Sequence, residues 1–363
     1  MKLNLDLYAD RTSWRALPAA FFSWGGAIRR FFYRTGLLET KTLPARVISV
    51  GALAVGGTGK TPATIMIARL LQARSVRVAI LSRGYKGRAA AAVNVVSDGE
   101  KILLGPTEAG DEAYLMAATL PGVPVLTGPD RYRTGKFAVE RHGAETLILD
   151  DGFQHLRLAR DLNLLLLDAR RPWANGRLLP AGPLREPPRA AGRADAFLLT
   201  GATGAENPFR PELERLFPGR PIFPARHRPR RFVDLAGGGP LPLDILAGRR
   251  VLVFCGLARP QGFIDAIISL GAQVDYVVKW PDHFHPRAGD IEKIKIQAQR
   301  LGIELAATTA KDAVKLEGRS FGSLRTLVLE IEMELWDGRD DFQALLENRA
   351  TSTPDRRRDN EPG

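Results

Sequence analysis

The chain has 363 residues and a formal net charge of +12, from 52 Lys and Arg against 40 Asp and Glu. Its single cysteine, Cys255, excludes an intrachain disulfide and a cysteine-based metal cluster, and fits a reducing compartment. Hydrophobic content of 45% and charged content of 25% are those of a globular chain of one large or two medium domains, not of a disordered or fibrous one. The basic excess leaves three partner classes open: nucleic acid, an anionic membrane, or a phosphorylated substrate.

In chain order, the first feature is an aromatic and basic segment at residues 14–38. Trp14, Leu17, Phe21, Phe22, Trp24, Ile28, Phe31, Phe32 and Leu37 recur at helical spacing, with Arg15, Arg29, Arg30 and Arg34 among them. That pattern predicts an amphipathic helix lying in a membrane interface, within an N-terminal segment of residues 1–40. A helix packed on the chain's own core is the other reading. No run of about 18 apolar residues appears, so no transmembrane helix is expected, and no secretory signal.

From residue 41 strands and helices alternate. Strands are expected at 45–51, 77–82, 93–97, 123–126, 145–150, 162–168 and 196–200, with helices at 62–73, 111–119 and 131–141. Runs such as Leu162-Asn163-Leu164-Leu165-Leu166-Leu167 read as strands buried on both faces of a parallel sheet. The expected fold is α/β, a P-loop NTPase-like doubly wound parallel sheet over 41–225. Residues 172–193 are rich in Pro, Gly and Arg, and read as a long functional loop. A linker is expected at 226–248 and a smaller α/β domain at 249–348. Its strands fall at 250–255, 273–278, 303–307 and 325–332, and its helices at 260–270, 288–301 and 311–316. A disordered tail is expected at 349–363.

The first strand runs into Ala54-Val55-Gly56-Gly57-Thr58-Gly59-Lys60-Thr61, and a helical pattern follows. Strand, glycine-rich turn and helix are the context of a phosphate-binding loop. Glycines let backbone N–H groups converge on a phosphate, and the helix N-terminus adds positive potential. Lys60 would reach the outer phosphates and Thr61 would bind Mg²⁺. The strict pattern has Gly where Ala54 stands. A second signal is Thr146-Leu147-Ile148-Leu149-Asp150-Asp151-Gly152-Phe153-Gln154-His155, a buried strand ending in two carboxylates. Beside a phosphate loop, such carboxylates hold Mg²⁺.

Asp111 opens the helix after Gly110, either as a cap or as a carboxylate at the ligand edge of the sheet. Arg83, after the second strand, either contacts phosphate or lies in a surface turn. Trp280-Pro281-Asp282-His283-Phe284-His285 places a histidine after a strand of the second domain, where one His could assist a base across the cleft. Thr309-Ala310-Lys311-Asp312-Ala313-Val314-Lys315 either caps its helix or faces that cleft.

Together with Ser82-Arg83-Gly84-Tyr85, Gly110-Asp111-Glu112 and Leu179-Pro180-Ala181-Gly182-Pro183-Leu184-Arg185-Glu186, this ordered set resembles the tetraacyldisaccharide 4′-kinases of lipid A synthesis, over residues 14–335. The resemblance implies transfer of the γ-phosphate of ATP to the 4′-hydroxyl of a tetraacylated glucosamine disaccharide 1-phosphate, giving lipid IVA. It implies a peripheral enzyme on the cytoplasmic face of a Gram-negative inner membrane, with the lipid disaccharide and that anionic surface as partners. It assigns Lys60 and Thr61 to phosphate and Mg²⁺, Asp150 and Asp151 to the metal region, Asp111 as base and His283 as its assistant. The chain departs from the family pattern at Ala52 for Asn, at Lys86 inserted before Gly87, and at Ala310 for Glu. A regulatory P-loop ATPase or GTPase switch with a protein partner is the rival reading. Nucleic-acid binding has no recognition signature in its support, and no obligate protein partner is inferred.

Overall fold

The computed structural model describes residues 16–348, with side chains from Trp24 onward. The expectations for Trp14, for the rest of residues 1–15 and for the tail 349–363 lie outside the described residues, as do the side chains of Leu17, Phe21 and Phe22.

The described residues start with helix α1 (Ala16–Arg34) and continue through β1 (Arg46–Ala52), α2 (Lys60–Gln72), β2 (Val78–Ser82), β3 (Asn94–Ser97), α3 (Pro106–Ala109) and α4 (Asp111–Thr119). Next come β4 (Val125–Thr127), α5 (Arg131–His142), β5 (Thr146–Asp150), β6 (Leu162–Asp168), β7 (Ala196–Thr200) and α6 (Arg210–Leu216). The long strand β8 (Ile222–Asp234) and the short β9 (Pro240–Leu241) follow. The last part holds β10 (Arg250–Cys255), α7 (Gln261–Ser269), β11 (Gln273–Lys279), α8 (Ala288–Leu301), β12 (Leu305–Thr309), α9 (Ala310–Ala313), β13 (Arg325–Leu335) and α10 (Arg339–Glu347). Helix ends follow local chemistry. The Asp130 carboxylate accepts the Tyr132 N–H at the start of α5, and left-handed glycines, Gly143 and Gly302, close α5 and α8.

Among the described residues, thirteen strands join one sheet, in the order β11-β10-β12-β13-β8-β7-β6-β1-β5-β2-β4-β3, with β9 on β8. The two expected α/β units are therefore two halves of a shared sheet. In the first half every pair is parallel except β3 with β4. Helices cover both faces, α2, α4 and α10 on one through Ile67, Met116 and Phe342, and α5 on the other through Ala138. The second half repeats the plan, with α7 and α8 on opposite faces through Ile267 and Ile294.

The halves meet where β8 and β13 pair antiparallel, Ala225 opposite Leu335 through Asp234 opposite Leu327. Residues 226–234 of the expected linker are thus a paired strand. Its Arg and Pro content hid the alternation. The arginines are matched by acids on β13: Arg226 and Arg228 reach Glu334 (2.8 and 2.9 Å), Arg230 reaches Glu332 (3.8 Å) and Arg231 reaches Glu330 (2.7 Å). Exposed pairs of this kind contribute about 0.2–1 kcal/mol each, so they neutralise the ribbon more than they stabilise it. Pro229 falls where the register shifts, the position at which a ladder tolerates a missing N–H.

The reversal has a geometric result. Strand β7 runs alongside β8 and ends at Thr200 beside Ala225, while β12 runs the opposite way alongside β13 and ends at Thr309 beside Leu329. The carboxyl edges of both halves face one cleft of about 1570 Å³. Ligands of open α/β sheets bind at such edges.

Candidate active site

Strand β1 delivers the phosphate loop to the cleft. Gly56, Gly57 and Gly59 have φ of 77°, 26° and 80°, conformations open to glycine. At Gly59 a Cβ would also lie 2.9 Å from Met333 Cε and 3.0 Å from His227 Nε2, so both side chains would have to give way. Lys60 is the first residue of α2 and Thr61 follows it, buried. The Thr200 hydroxyl donates to the Thr58 carbonyl (3.0 Å) and fixes the loop to the end of β7. The proline-rich loop backs it from the other side. The Val55 N–H donates to the Pro183 carbonyl (2.8 Å), and the Arg185 N–H to the Leu53 carbonyl (2.7 Å).

Beside the loop, β5 ends at Asp150. Asp151 follows in a left-handed conformation (φ 53°), which turns it away from the strand. Lys60 Nζ stands 3.8 Å from Asp151 Oδ1, and Arg185 Nη1 donates to Asp151 Oδ2 (2.7 Å). Asp151 Oδ1 is buried without a hydrogen-bond partner. Asp150 accepts from the hydroxyls of Ser82 (3.1 Å) and Thr64 (3.4 Å). Burial pushes its carboxyl up to about 7, with Glu112 and Asp151 adding repulsion and Lys60 opposing them. This donor set suits a small hard cation: oxygen ligands, among them a buried carboxylate oxygen with no hydrogen-bond partner. Among the described residues no group of three or more His, Cys, Asp or Glu is arranged to hold a metal alone. Mg²⁺ binds in that manner, through one or two carboxylates plus substrate phosphates.

In the same half, α4 opens with Asp111 at its first turn. Gly110 occupies the cap position, and Asp111 makes no cap hydrogen bond. Its carboxylate faces outward to the second half instead. His283 Nδ1 lies 3.3 Å from Asp111 Oδ2, Lys315 Nζ 3.6 Å from the same oxygen, and His285 Nε2 3.7 Å from Oδ1. Burial raises the Asp111 carboxyl, but the His283 hydrogen bond, Lys315 and His285 outweigh it and hold the carboxyl below its usual range. His283 itself is held in a left-handed conformation (φ 60°), with Tyr85 edge-on to its ring at 5.4 Å. The fully buried Lys315 also pairs with Asp312 (3.0 Å), whose other oxygen accepts the Gly256 N–H (2.9 Å).

The second half adds Lys311, which reaches Asp282 (2.9 Å) and Glu112 (3.5 Å). Burial works against its charge, but those two carboxylates outweigh it and hold the ammonium above its usual value. The Thr309-to-Lys315 segment does both of the things open to it. The Thr309 hydroxyl caps α9 by accepting the Asp312 N–H, and Lys311 faces the cleft. Arg83 is exposed, and the inserted Lys86 is exposed with φ 61°.

Lys60 and Asp151 thus come together beside the phosphate loop, and Asp111 of the first half meets His283 of the second. Sequence reasoning did not single out Thr64, Arg185 or His285 for these contacts, nor the Lys315 pairing with Asp111. Each partner is remote in sequence, although Arg185, His285 and Lys315 lie in the proline-rich motif, the run ending at His285 and the Lys-Asp-Ala-Val-Lys run. At the N-terminus, Trp24, Ile28, Phe31 and Phe32 of α1 are exposed, so this face is not buried in the chain's own core. Among the described residues, no helix is long and apolar enough to cross a membrane.

The family model described as tetraacyldisaccharide-1-P 4′-kinase matches residues 13–351. A tetraacyldisaccharide 4′-kinase of Syntrophus aciditrophicus is 45% identical over 325 residues, 87% of each chain. One of Anaeromyxobacter dehalogenans is 45% identical over 336 residues, 91% of this chain and 88% of the relative. The crystal structure of the "apo" form of LpxK from Aquifex aeolicus in complex with ATP superposes with a TM-score of 0.71 at 36% identity, covering 91% of this chain and 96% of that one.

Proposed function

The chain belongs to the tetraacyldisaccharide-1-P 4′-kinase family, and from that premise we propose how its two halves divide the reaction. The reaction is transfer of the γ-phosphate of ATP to the 4′-hydroxyl of a tetraacylated glucosamine disaccharide 1-phosphate, giving lipid IVA. The observation that carries the division is that Lys60 and Asp151 pair within the first half, whereas Asp111 of that half meets His283 of the second.

The loop at residues 54–61 holds the triphosphate through its backbone N–H groups and the Lys60 ammonium. Thr61, Asp150 and Asp151 would hold Mg²⁺, which when bound neutralises charge developing on the phosphates. Asp111 accepts the proton of the 4′-hydroxyl as its oxygen bonds to the γ-phosphorus. The bond from that phosphorus to the bridging oxygen breaks, and ADP leaves. His283 orients Asp111 and stabilises its charge before the proton arrives. Positioning and charge neutralisation supply most of the acceleration in such transfers.

The domain boundary falls in the ribbon, between 41–225 and 249–348. The exposed face of α1 rests on the anionic cytoplasmic surface of the inner membrane, so that the acyl chains of the substrate stay near the bilayer. Vesicle co-sedimentation tests this part. Trp24→Ala with Phe31→Ala should release the chain from anionic vesicles, and unchanged sedimentation would overturn it.

The main test is transfer of labelled γ-phosphate to detergent-solubilised tetraacyl disaccharide 1-phosphate, with Mg²⁺ or with excess EDTA. Label should appear on the lipid with Mg²⁺ alone, and Lys60→Ala should abolish it. Near-normal turnover in Lys60→Ala would remove the nucleotide from this loop. ATP consumption without labelled lipid would point to a nucleotide switch or another acceptor.

A further inference from the structure

Arg259 is a cleft residue that neither the proton route nor the metal region uses. It sits in the turn between β10 and α7, at the carboxyl edge of the second half. That turn lies directly on the phosphate loop of the first half. A Cβ at Gly57 would be 3.6 Å from Arg259 Cδ and 3.7 Å from its Cγ, and one at Gly56 would be 3.5 Å from Ala258 Cβ. The two central glycines of the loop therefore accept an arm from outside, along the wall where phosphates gather.

The guanidinium of Arg259 is paired with Asp168, which ends β6, the strand beside β1. The pair lines the cleft, and half of the arginine side chain is open to solvent. Asp168 does not depend on this partner alone, because its Oδ1 also accepts the Arg170 N–H (2.9 Å). A guanidinium fork fits phosphate oxygens in pairs and stays charged at any working pH. A polyphosphate offers it more negative charge than one carboxylate does.

We infer that Arg259 is a phosphate-contacting residue: on nucleotide binding its guanidinium leaves Asp168 for the terminal phosphate held at the loop, so that the second half registers what the first half has bound. This rests on the assignment of the nucleotide to residues 54–61. Asp168 is then the resting partner of Arg259 and a competitor of the phosphate. Arginines supplied to a phosphate loop from a neighbouring element act on the transferring group in this way.

The experiment is calorimetric titration of the full chain, with Mg²⁺, by the β,γ-methylene analogue of ATP and by ADP. Arg259→Met keeps the stem against Gly57 and removes the charge. It should weaken the analogue by about tenfold or more, the worth of a charged hydrogen-bond pair, and ADP by much less. Asp168→Asn removes the competitor and should leave the analogue bound as tightly or more tightly. In transfer assays Arg259→Met should lower kcat by about a thousandfold, with Arg259→Lys falling between. A static brace between the halves predicts otherwise: Arg259→Met and Asp168→Asn would then weaken both nucleotides alike, and that result overturns the inference. Equal binding of the analogue by wild type and Arg259→Met overturns it as well. Lys60→Ala separates the two levels of the argument. If Lys60→Ala loses both nucleotides while Arg259→Met loses neither, the loop assignment stands and this inference falls. If the wild-type chain binds neither nucleotide, both fall.

Discussion

Asp150 and Asp111 are both at the carboxyl edge of the first half, and they are buried alike, at 2% and 3% exposure. Their carboxyls nevertheless move in opposite directions, one up to about 7 and the other below its usual range. Asp150 is the more deeply surrounded by protein, and the charges beside the two carboxyls differ as well. Asp111 receives His283, His285 and Lys315 from the second half of the chain. Asp150 receives two hydroxyls and the repulsion of Glu112 and Asp151. One carboxylate has its countercharge built in, which suits the base proposed for it. The other has Lys60 alone to oppose the acids around it, which suits the proposed metal ligand.

The largest effect should come from removing each charge in turn. Asp111→Asn is expected to lower kcat by about 10²–10⁴-fold, the usual worth of a general base, with Mg²⁺–nucleotide affinity nearly unchanged. Asp150→Asn should instead remove the dependence of nucleotide binding on Mg²⁺. Single-turnover transfer and calorimetry read the two quantities separately. The contrast breaks if Asp111→Asn weakens metal–nucleotide binding as much as Asp150→Asn does.

The supporting residues should differ in the same sense. Lys315→Met leaves Asp111 and Asp312 buried without their shared cation, a loss of about 3–5 kcal/mol in stability. Ser82→Ala removes one hydroxyl from Asp150 and should cost about 1 kcal/mol. Denaturant unfolding measures both, and equal losses would show that the two corners are held together in the same manner.

A titration sharpens the comparison further. The Asp150 carboxyl is raised in the folded chain, so its contribution to stability is present below the ordinary carboxylate value and is lost as pH rises through about 7. Asp111 is lowered, so its contribution is present above that value and is lost only as pH falls through its lowered one. In EDTA, the melting temperature should therefore decline as pH rises from about 5 to 8. Asp150→Asn should flatten that decline, and Asp111→Asn should leave it. A slope that survives Asp150→Asn would assign it to another group.

The smallest effect is expected at His283. Its removal leaves Lys315 and His285 beside Asp111, so His283→Ala should lower kcat by about tenfold, less than loss of the base itself. Added to Asp111→Asn it should cost almost nothing more, because residues that act as a unit do not add. Additive losses would place His283 in a separate role.

What could be read from the sequence was local. The phosphate loop, the Asp150-Asp151 pair and the Gly110-Asp111 turn each declare themselves within a dozen residues, and so did the order of buried strands. That Asp111 faces the second half, and does not cap its helix, shows only with His283 folded against it. Lys315 and Arg185 reach carboxylates at Asp111 and Asp151 that no spacing rule connects to them. The strand β8 was hidden for a related reason. Its Arg-His-Arg-Pro-Arg-Arg run reads as a solvated linker until the glutamates of β13 stand beside it. Helix α10, short and largely polar, shows its apolar side only through Phe342 and Leu346 against the first core.

The ribbon has a consequence during synthesis. Strand β13 is the last strand of the sheet among the described residues, so β8 is complete while residues 235–324 are still to be made. Through that interval the nascent first half carries an open sheet edge, the kind of surface that recruits stray strands. Positive side chains and a proline are what keep such an edge solitary. Arg226, Arg228, Arg230, Arg231 and Pro229 supply both. The glutamates that later answer them arrive with the one strand entitled to dock, so the charge pattern acts as a chaperone to the translating chain and then as the seam of the finished enzyme.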